Sequence, residues 1–139
     1  MGPTNVELVF ELSSWFDNLT RNLKCSQNTK AYVTGVLTQY KSSIDDMSNQ
    51  SIVVAYSEAR ISGNFVDYQR IGDWVLWISS VYPNAISSDK EVVQTVGRLS
   101  YNACHRILKG NWPLYEELAD NLIGISQDVN DKFLRLSIK

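Results

Sequence analysis

The chain has 139 residues, the usual size of one domain, and its 13 basic and 15 acidic residues give a formal net charge of −2. With 44% hydrophobic residues, 20% charged residues and three prolines, the composition excludes a disordered or fibrous protein. The charges form no long run of one sign, and no apolar run reaches the roughly 18 residues of a membrane span. We therefore expect one domain over residues 1–139, with neither nucleic acid nor a membrane among its partners.

Apolar residues three or four positions apart predict three helices in the first part of the chain. The first follows the capping-box sequence Thr4-Asn5-Val6-Glu7 and covers residues 5–24. The second begins after polar residues 26–28 and carries an apolar stripe that ends near Ile44. The third covers residues 50–61, where the β-branched run at 52–56 would also suit a strand. We expect a helix there because the segment is short and lies between helices.

Three more helices are predicted in the remainder of the chain. Gly63 is a helix C-cap, and the capping-box sequence at 64–67 begins the most apolar helix, over residues 65–82, which Pro83 ends. A further capping box, formed by Ser88 and Glu91, starts a helix that continues to residue 109. The last helix covers residues 113–136. The sequence thus predicts an all-α, single-domain bundle of five or six amphipathic helices with short connections.

Glycines inside the predicted helices each cost about 1 kcal/mol relative to alanine, so something must offset that cost. We expect close helix crossings, and space for a ligand beside the backbone is the alternative. The glycines concerned are Gly35, Gly72, Gly97 and Gly124. Gly72 and Gly97, together with Trp74 in the most apolar helix, are the positions to which we assign a structural role.

Asp73 is the most conspicuous polar residue, because it lies in the middle of the most apolar helix, where an unpaired carboxylate is costly. A structural ion pair with Arg70, Arg98 or Arg60 is the expected explanation. A carboxylate that faces a ligand is the alternative. In that case Tyr101 and His105, on the next helix, would complete a ligand-binding site.

His105 is the only histidine, so the paired Glu-x-x-His motifs of a di-metal bundle are missing. Adjacent helix positions do not face each other, so Cys104 and His105 do not form a catalytic dyad by themselves. We expect Cys104 in the core and His105 at its edge. The sequence contains no phosphate-binding loop, zinc motif or dinucleotide fingerprint. We therefore expect no metal, no cofactor and no catalytic residues, and an enzyme is the less favoured class.

The two cysteines, Cys25 and Cys104, lie far apart, and the amino terminus lacks the features of an export signal. Unpaired cysteines are typical of a reducing compartment. The expected location is therefore the cytoplasm.

Four tryptophans and seven tyrosines are many for a chain of this length, and these residue types are favoured at interfaces. The tyrosine rings would lie at the edge of the core with their hydroxyl groups in water, or they would contact a partner. The tyrosines concerned are Tyr40, Tyr56, Tyr68, Tyr82, Tyr101 and Tyr115.

Three segments, residues 71–83, 97–101 and 113–120, carry a further pattern. They resemble a set of uncharacterised bacterial proteins. That set combines a glycine-aspartate-aromatic helix ending in proline with a serine-tyrosine helix and a leucine-alanine-aspartate helix. The resemblance covers about the C-terminal half of the chain and implies a shared helical fold, without an activity or a ligand. If the shared positions are functional, they should converge in space; they are Gly72, Asp73, Tyr101 and Asp120.

The leading functional hypothesis is a non-enzymatic module that binds itself, as a homodimer, or another protein through aromatic helix faces. The alternative is a small-ligand-binding bundle, or an unusual enzyme, with a site near Asp73, Tyr101 and His105. These hypotheses differ in what the structure must show: an exposed apolar face for the first, and convergence of the three named side chains for the second.

Overall fold

The computed structural model describes residues 18–40, 52–86, 90–109 and 113–138. Residues 18–20 form a helical turn, and five longer helices and one short 3₁₀ turn follow along the chain. The helices are α1 (Gln27–Tyr40), α2 (Ile52–Ser62), α3 (Phe65–Val81), α4 (Lys90–Ile107) and α5 (Pro113–Ile138), and the 3₁₀ turn is Pro83–Ala85. No residue in the described ranges belongs to a strand. The predicted all-α bundle is confirmed.

Several boundaries of the predicted helices can be compared with the structure. The β-branched run at 52–56 is helical, so the strand alternative is wrong. Most of the first predicted helix, its capping box at Thr4 and the capping box at Ser88 lie outside the described residues. The predicted end of that first helix at residue 24 is wrong, because the helix stops at residue 20 and the Leu23 amide donates to the Thr20 carbonyl in a turn. Leu19 and Leu23 are nevertheless both buried.

Helix α3 is the centre of the bundle. Every residue from 71 to 81 is buried, and the helix packs against α1, α2, α4 and α5. A helix with a wide apolar surface must pack against several other helices, which explains why the most apolar segment of the sequence has this position. Trp74 and Trp77 are both almost completely inaccessible and supply the largest side chains of this core.

The start of α3 is fixed by local hydrogen bonds. Gly63 has a φ of +65°, a left-handed conformation that favours glycine, and its amide donates to the Ala59 carbonyl at 2.8 Å. The Asn64 side chain accepts a hydrogen bond from the Val66 amide at 3.0 Å, as an N-cap should. The predicted capping box requires Asp67 to accept a hydrogen bond from the Asn64 amide, and Asp67 does not do so. Instead, the Ser62 hydroxyl accepts from that amide and lies 3.0 Å from the Asp67 carboxylate.

Two of the four helical glycines lie at close helix contacts. A Cβ atom at Gly72 would lie 2.7 Å from the Tyr101 ring, and one at Gly97 would lie 2.6 Å from the Val75 side chain. Both contacts are too short for any side chain, so α3 and α4 approach each other closely only because these residues are glycines. At Gly35 and Gly124 no atom lies within 4 Å of the added Cβ, so the expected close crossing does not occur there.

None of the helices in the described ranges combines the length and the apolar character that crossing a membrane requires.

Candidate functional site

The carboxylate of Asp73 lies in the interior of the bundle and is held by two tyrosines. The Tyr32 hydroxyl donates to Asp73 Oδ1 at 2.7 Å, and the Tyr101 hydroxyl donates to the same oxygen at 2.8 Å. Tyr32 comes from α1 and Tyr101 from α4, so Asp73 on α3 joins three helices. Both distances are typical of O–H···O hydrogen bonds.

The ion pair that we expected for Asp73 is not present among the described residues. The Arg98 guanidinium instead donates from Nε to the Ala119 carbonyl at 3.2 Å, across the α4–α5 contact. Arg60 and Arg70 both have exposed side chains. Tyrosine hydroxyls therefore satisfy this carboxylate in place of an arginine.

A glutamine extends the network to a fourth helix. Gln69 Nε2 lies 2.9 Å from the Tyr115 hydroxyl and 3.3 Å from the Tyr32 hydroxyl. Gln69 is one turn before Asp73 on α3, and Tyr115 belongs to the first turn of α5. We refer to this set as the Asp73 cluster; it consists of Tyr32, Gln69, Asp73, Tyr101 and Tyr115.

The aromatic rings of the Asp73 cluster pack mainly edge to face. The Tyr32 ring centroid lies 6.4 Å from that of Tyr101 and 5.6 Å from that of Tyr115, with interplanar angles of 78° and 79°. The Phe65 ring packs against the Tyr115 ring, with the two centroids 5.5 Å apart. Such pairs contribute about 0.5–1.5 kcal/mol each beyond simple burial, so the rings hold the hydroxyls in place.

Burial controls the ionisation of the cluster. It raises the pKa of Asp73 to about 6, although the hydrogen bonds from Tyr32 and Tyr101 act in the opposite direction. Burial and the nearby Asp73 carboxylate raise the pKa of both tyrosines, which therefore remain hydrogen-bond donors. The same two causes raise the pKa of Cys104 to about 12, so this buried thiol is protonated at neutral pH and is a poor nucleophile.

His105 is not part of the Asp73 cluster. Its Nε2 atom lies 3.2 Å from Glu116 Oε2, so the side chain connects the last turn of α4 to the first turn of α5. The structure thus brings together Asp73 and Tyr101 and places His105 in a contact near the surface. Of the four positions expected to converge, Gly72 joins this pair through its contact with the Tyr101 ring, whereas Asp120 is exposed.

Three members of the cluster were not identified from the sequence, namely Tyr32, Gln69 and Tyr115. Tyr32 belongs to the apolar stripe of its helix, where periodicity marks it as a core residue and gives no sign of its hydrogen bonds. Gln69 precedes Asp73 by one helical turn, and this spacing was the available signal for it. Tyr115 is among the tyrosines predicted at the core edge and lies in the segment 113–120, but neither signal predicts its hydrogen bond to Gln69.

Two clefts lie away from the cluster. One, of about 160 Å³, lies between α2 and α3 and includes Glu58, Asp67 and Arg70 in its lining. The other, of about 220 Å³, includes Arg21 and Lys30. Neither is lined by a residue of the Asp73 cluster. Within the described ranges, no three His, Cys, Asp or Glu side chains are grouped closely enough to hold a metal ion.

An exposed aliphatic surface lies on α2. Val53 is 49% exposed, Val54 56% and Ile61 88%, and we refer to these three residues as the α2 surface. Among the aromatic side chains whose exposure the structure describes, Tyr82 is 47% exposed and the others are buried or half-buried. These side chains therefore mostly face the core, whereas we expected aromatic helix faces to bind a partner.

Comparisons with protein-family models, with curated proteins and with solved structures gave no match. The resemblance of residues 71–83, 97–101 and 113–120 to bacterial helical proteins therefore stays a prediction.

Proposed function

We propose that this chain is a non-enzymatic interaction module of the cytoplasm that associates with a second copy of itself through the α2 surface. The observation that carries the proposal is the exposure of Ile61, which leaves a large aliphatic side chain 88% accessible on a regular helix. A single exposed aliphatic residue is ordinary, but Val53 and Val54 lie on the same helix and widen the surface. Both cysteines are free thiols, which suits a reducing compartment.

The spacing of the α2 surface favours a two-fold contact between identical helices. Val53 and Ile61 each lie four residues, or about 6 Å along the helix axis, from Ser57. In an antiparallel pair of α2 helices with the two-fold axis at Ser57, Val53 is level with Ile61 of the second copy. Ser57 is small, and its hydroxyl already donates to the Val53 carbonyl at 3.0 Å, so the helices can approach closely there.

Charge does not oppose this contact. Glu58 and Arg60 are both exposed on α2 and carry opposite charges, and the whole chain has a net charge of only −2. Three aliphatic side chains form a smaller contact than a standard interface of about 800 Å² per partner. The expected dimer is therefore weak, with a dissociation constant on the order of 10–100 µM.

Sedimentation velocity over a protein concentration range of about 5–500 µM tests the proposal. The expected result is a shift from monomer to dimer in this range. Ile61→Lys places a charge against Val53 of the second copy and should keep the protein monomeric at every concentration. Val92→Lys is the matched control, because Val92 is 44% exposed on α4, outside the α2 surface, and this variant should dimerise like the parent.

A parent protein that remains monomeric at 500 µM contradicts the proposal. So does a dimer that Ile61→Lys leaves intact, because the contact would then lie elsewhere. Circular dichroism of both variants must show the parent helix content, so that loss of the dimer is not confused with unfolding.

A small-ligand-binding bundle is the second candidate, and the convergence of Asp73 and Tyr101 favours it. A carboxylate among aromatic rings attracts small organic cations. Titration with tetramethylammonium, followed through the tyrosine ring signals in NMR spectra, tests this candidate. Saturable shifts of Tyr32 and Tyr101 that Asp73→Asn abolishes would support it, and unchanged spectra would rule out cation binding at the cluster.

A further inference from the structure

We propose that α1 is a proton-controlled cover over Asp73, which stays docked while the carboxyl group carries a proton and opens more often when it is ionised. Opening here means that α1 separates from α3, α4 and α5 while those three helices stay packed. The proposal does not depend on the α2 surface, so each can fail without the other.

The hydrogen bonds of Asp73 leave room for a proton. Tyr32 and Tyr101 both donate to Oδ1, and Oδ2 accepts no hydrogen bond from any described residue. A proton on Oδ2 therefore breaks neither tyrosine bond. The docked arrangement accommodates a neutral carboxyl group without rearrangement, whereas an ionised one must remain buried with no cation from the described residues beside it.

Helix α1 lies on the solvent side of the cluster. Tyr101 and Tyr115 are almost completely inaccessible, but Tyr32 and Gln69 are only half-buried. Because Tyr32 is the residue that α1 contributes to the Asp73 cluster, separation of α1 would bring water to the carboxylate. Ionised Asp73 gains more from that water than neutral Asp73 does, so ionisation favours the open form.

Besides Tyr32, further polar contacts in the described ranges join α1 to the rest of the bundle. The Thr34 and Thr20 hydroxyls are 2.8 Å apart, and the Ser26 amide, just before α1, donates to Glu117 Oε1 at 2.7 Å. The buried aliphatic face of the helix includes Val33, Val36 and Leu37. It is shorter than the buried stretch of α3, which extends from residue 71 to residue 81. Local opening of α1 should therefore be easier than unfolding of the rest of the bundle.

Asp73 changes charge between pH 5 and pH 7.5, whereas the tyrosine and cysteine side chains near it do not. Burial raises the pKa of Tyr32 from α1, of Tyr101 and Cys104 from α4, and of Tyr115 from α5, so all four stay neutral in this range.

Glu117 on α5, which contacts the start of α1, stays ionised in the same range. Burial raises its pKa, but the hydrogen bonds from Ser26 and Thr29 lower it by more, leaving it below the ordinary value of 4.5. The contact between Glu117 and the start of α1 therefore does not weaken between pH 5 and pH 7.5.

The sign of the pH effect follows from the raised pKa of Asp73. Its value of about 6 in the docked form, against 3.8 in water, means that the docked form binds the proton more tightly. Rising pH therefore favours opening until Asp73 is ionised in both forms. Between pH 5 and pH 7.5 the opening equilibrium of α1 should increase about tenfold.

Amide hydrogen exchange measured by NMR at pH 5 and pH 7.5, corrected for intrinsic exchange rates, tests the proposal on the full chain. In the parent, the protection of the Val33 and Leu37 amides should fall about tenfold at the higher pH. In Asp73→Asn, the side chain keeps an acceptor for both hydroxyls and cannot ionise, so their protection should change less than twofold. Amides of α5 should be better protected than those of α1 in both proteins.

Three results would overturn the proposal: no change in the parent, the same change in Asp73→Asn, or equal protection of α1 and α5. Equal protection would mean that α1 separates only when the whole bundle unfolds. Tyr32→Phe gives an independent reading if Asp73→Asn does not fold. It removes one donor from the ionised carboxylate, so α1 protection should fall more at pH 7.5 than at pH 5, and an equal fall at both pH values contradicts the proposal.

Discussion

Gly72 determines how close Tyr101 comes to α3. Because glycine has no side chain, the Tyr101 ring occupies the space that a Cβ would fill, at 2.7 Å from that position. This close approach lets the Tyr101 hydroxyl donate to the carboxylate of the next residue, Asp73. The glycine and the aspartate are therefore two parts of one arrangement, in which the first makes space for the donor that the second needs.

Replacing Gly72 by alanine should destabilise the protein by about 1–3 kcal/mol, because the new methyl group overlaps a buried ring that cannot move away. Gly124→Ala is the matched control. No atom lies within 4 Å of its added Cβ, so this variant should gain about 0.5–1 kcal/mol from the better helix propensity of alanine. Urea unfolding at pH 7 measures both. A stabilised Gly72→Ala variant would show that Tyr101 does not pack as described.

The free thiol of Cys104 illustrates how burial removes reactivity. Its Sγ lies 3.9 Å from the Phe65 carbonyl, and burial beside the Asp73 carboxylate raises its pKa to about 12. A thiolate is the reactive form of cysteine, and it is not populated here at neutral pH. Cys104 thus serves as a small core residue, as its position in the apolar stripe predicts.

At the scale of the helices, α1 receives its N-terminal carboxylate from a distant part of the chain. Glu117 on α5 accepts a hydrogen bond from the Ser26 amide at 2.7 Å, where the helix dipole favours a negative charge. Ser26 itself acts locally, since its hydroxyl accepts from the Thr29 amide at 3.2 Å. One helix start is therefore stabilised by a local cap and by a side chain 91 residues away.

Glu117→Gln should destabilise the protein by about 0.5 kcal/mol at pH 7, since the amide keeps an acceptor but removes the charge. The pKa of Glu117 is lowered in the folded protein, so its contribution is present above pH 4.5 and is lost as the pH falls through the folded value. The difference in stability between the variant and the parent should therefore shrink between pH 7 and pH 3. Unfolding curves at the two pH values check this. A difference of unchanged size at pH 3 would assign the effect to packing.

At the α2–α3 connection, the capping residues differ from those that the local sequence predicts. The sequence at 64–67 predicts a reciprocal capping box, but Asp67 reaches the Ser62 hydroxyl, which accepts from the Asn64 amide. The amide is satisfied as the motif requires, through a different residue. Gly63 makes this possible because its left-handed conformation turns the chain back between the two helices.

For the whole molecule, the proposed dimer should depend little on salt. The α2 surface is aliphatic, and the net charge of −2 gives only weak repulsion between two copies. The dissociation constant should therefore change less than about threefold between 50 and 500 mM NaCl. Sedimentation at both salt concentrations measures it. A dimer that dissociates at high salt would indicate a contact between charged residues and would contradict the proposed interface.

The sequence by itself determined the secondary structure and the class of fold in the described ranges. Apolar spacing, Gly63 and Pro83 placed the helices, because these signals act through neighbours along the chain. Helix α3 could be identified as central because Leu76 and Trp77 widen its apolar stripe, and a helix with a wide apolar surface must pack against several others.

Only the tertiary structure decided which side chains meet Asp73. The sequence shows that a buried carboxylate needs a hydrogen-bond donor, but it does not show whether an arginine or a tyrosine supplies that donor. Tyr32 and Tyr101 are 41 and 28 residues away from Asp73, and local patterns fix neither the order of the helices nor their rotation about their axes. Packing fixes both, because one close contact at Gly72 sets the position of Tyr101, and α1 then brings Tyr32 to the same oxygen.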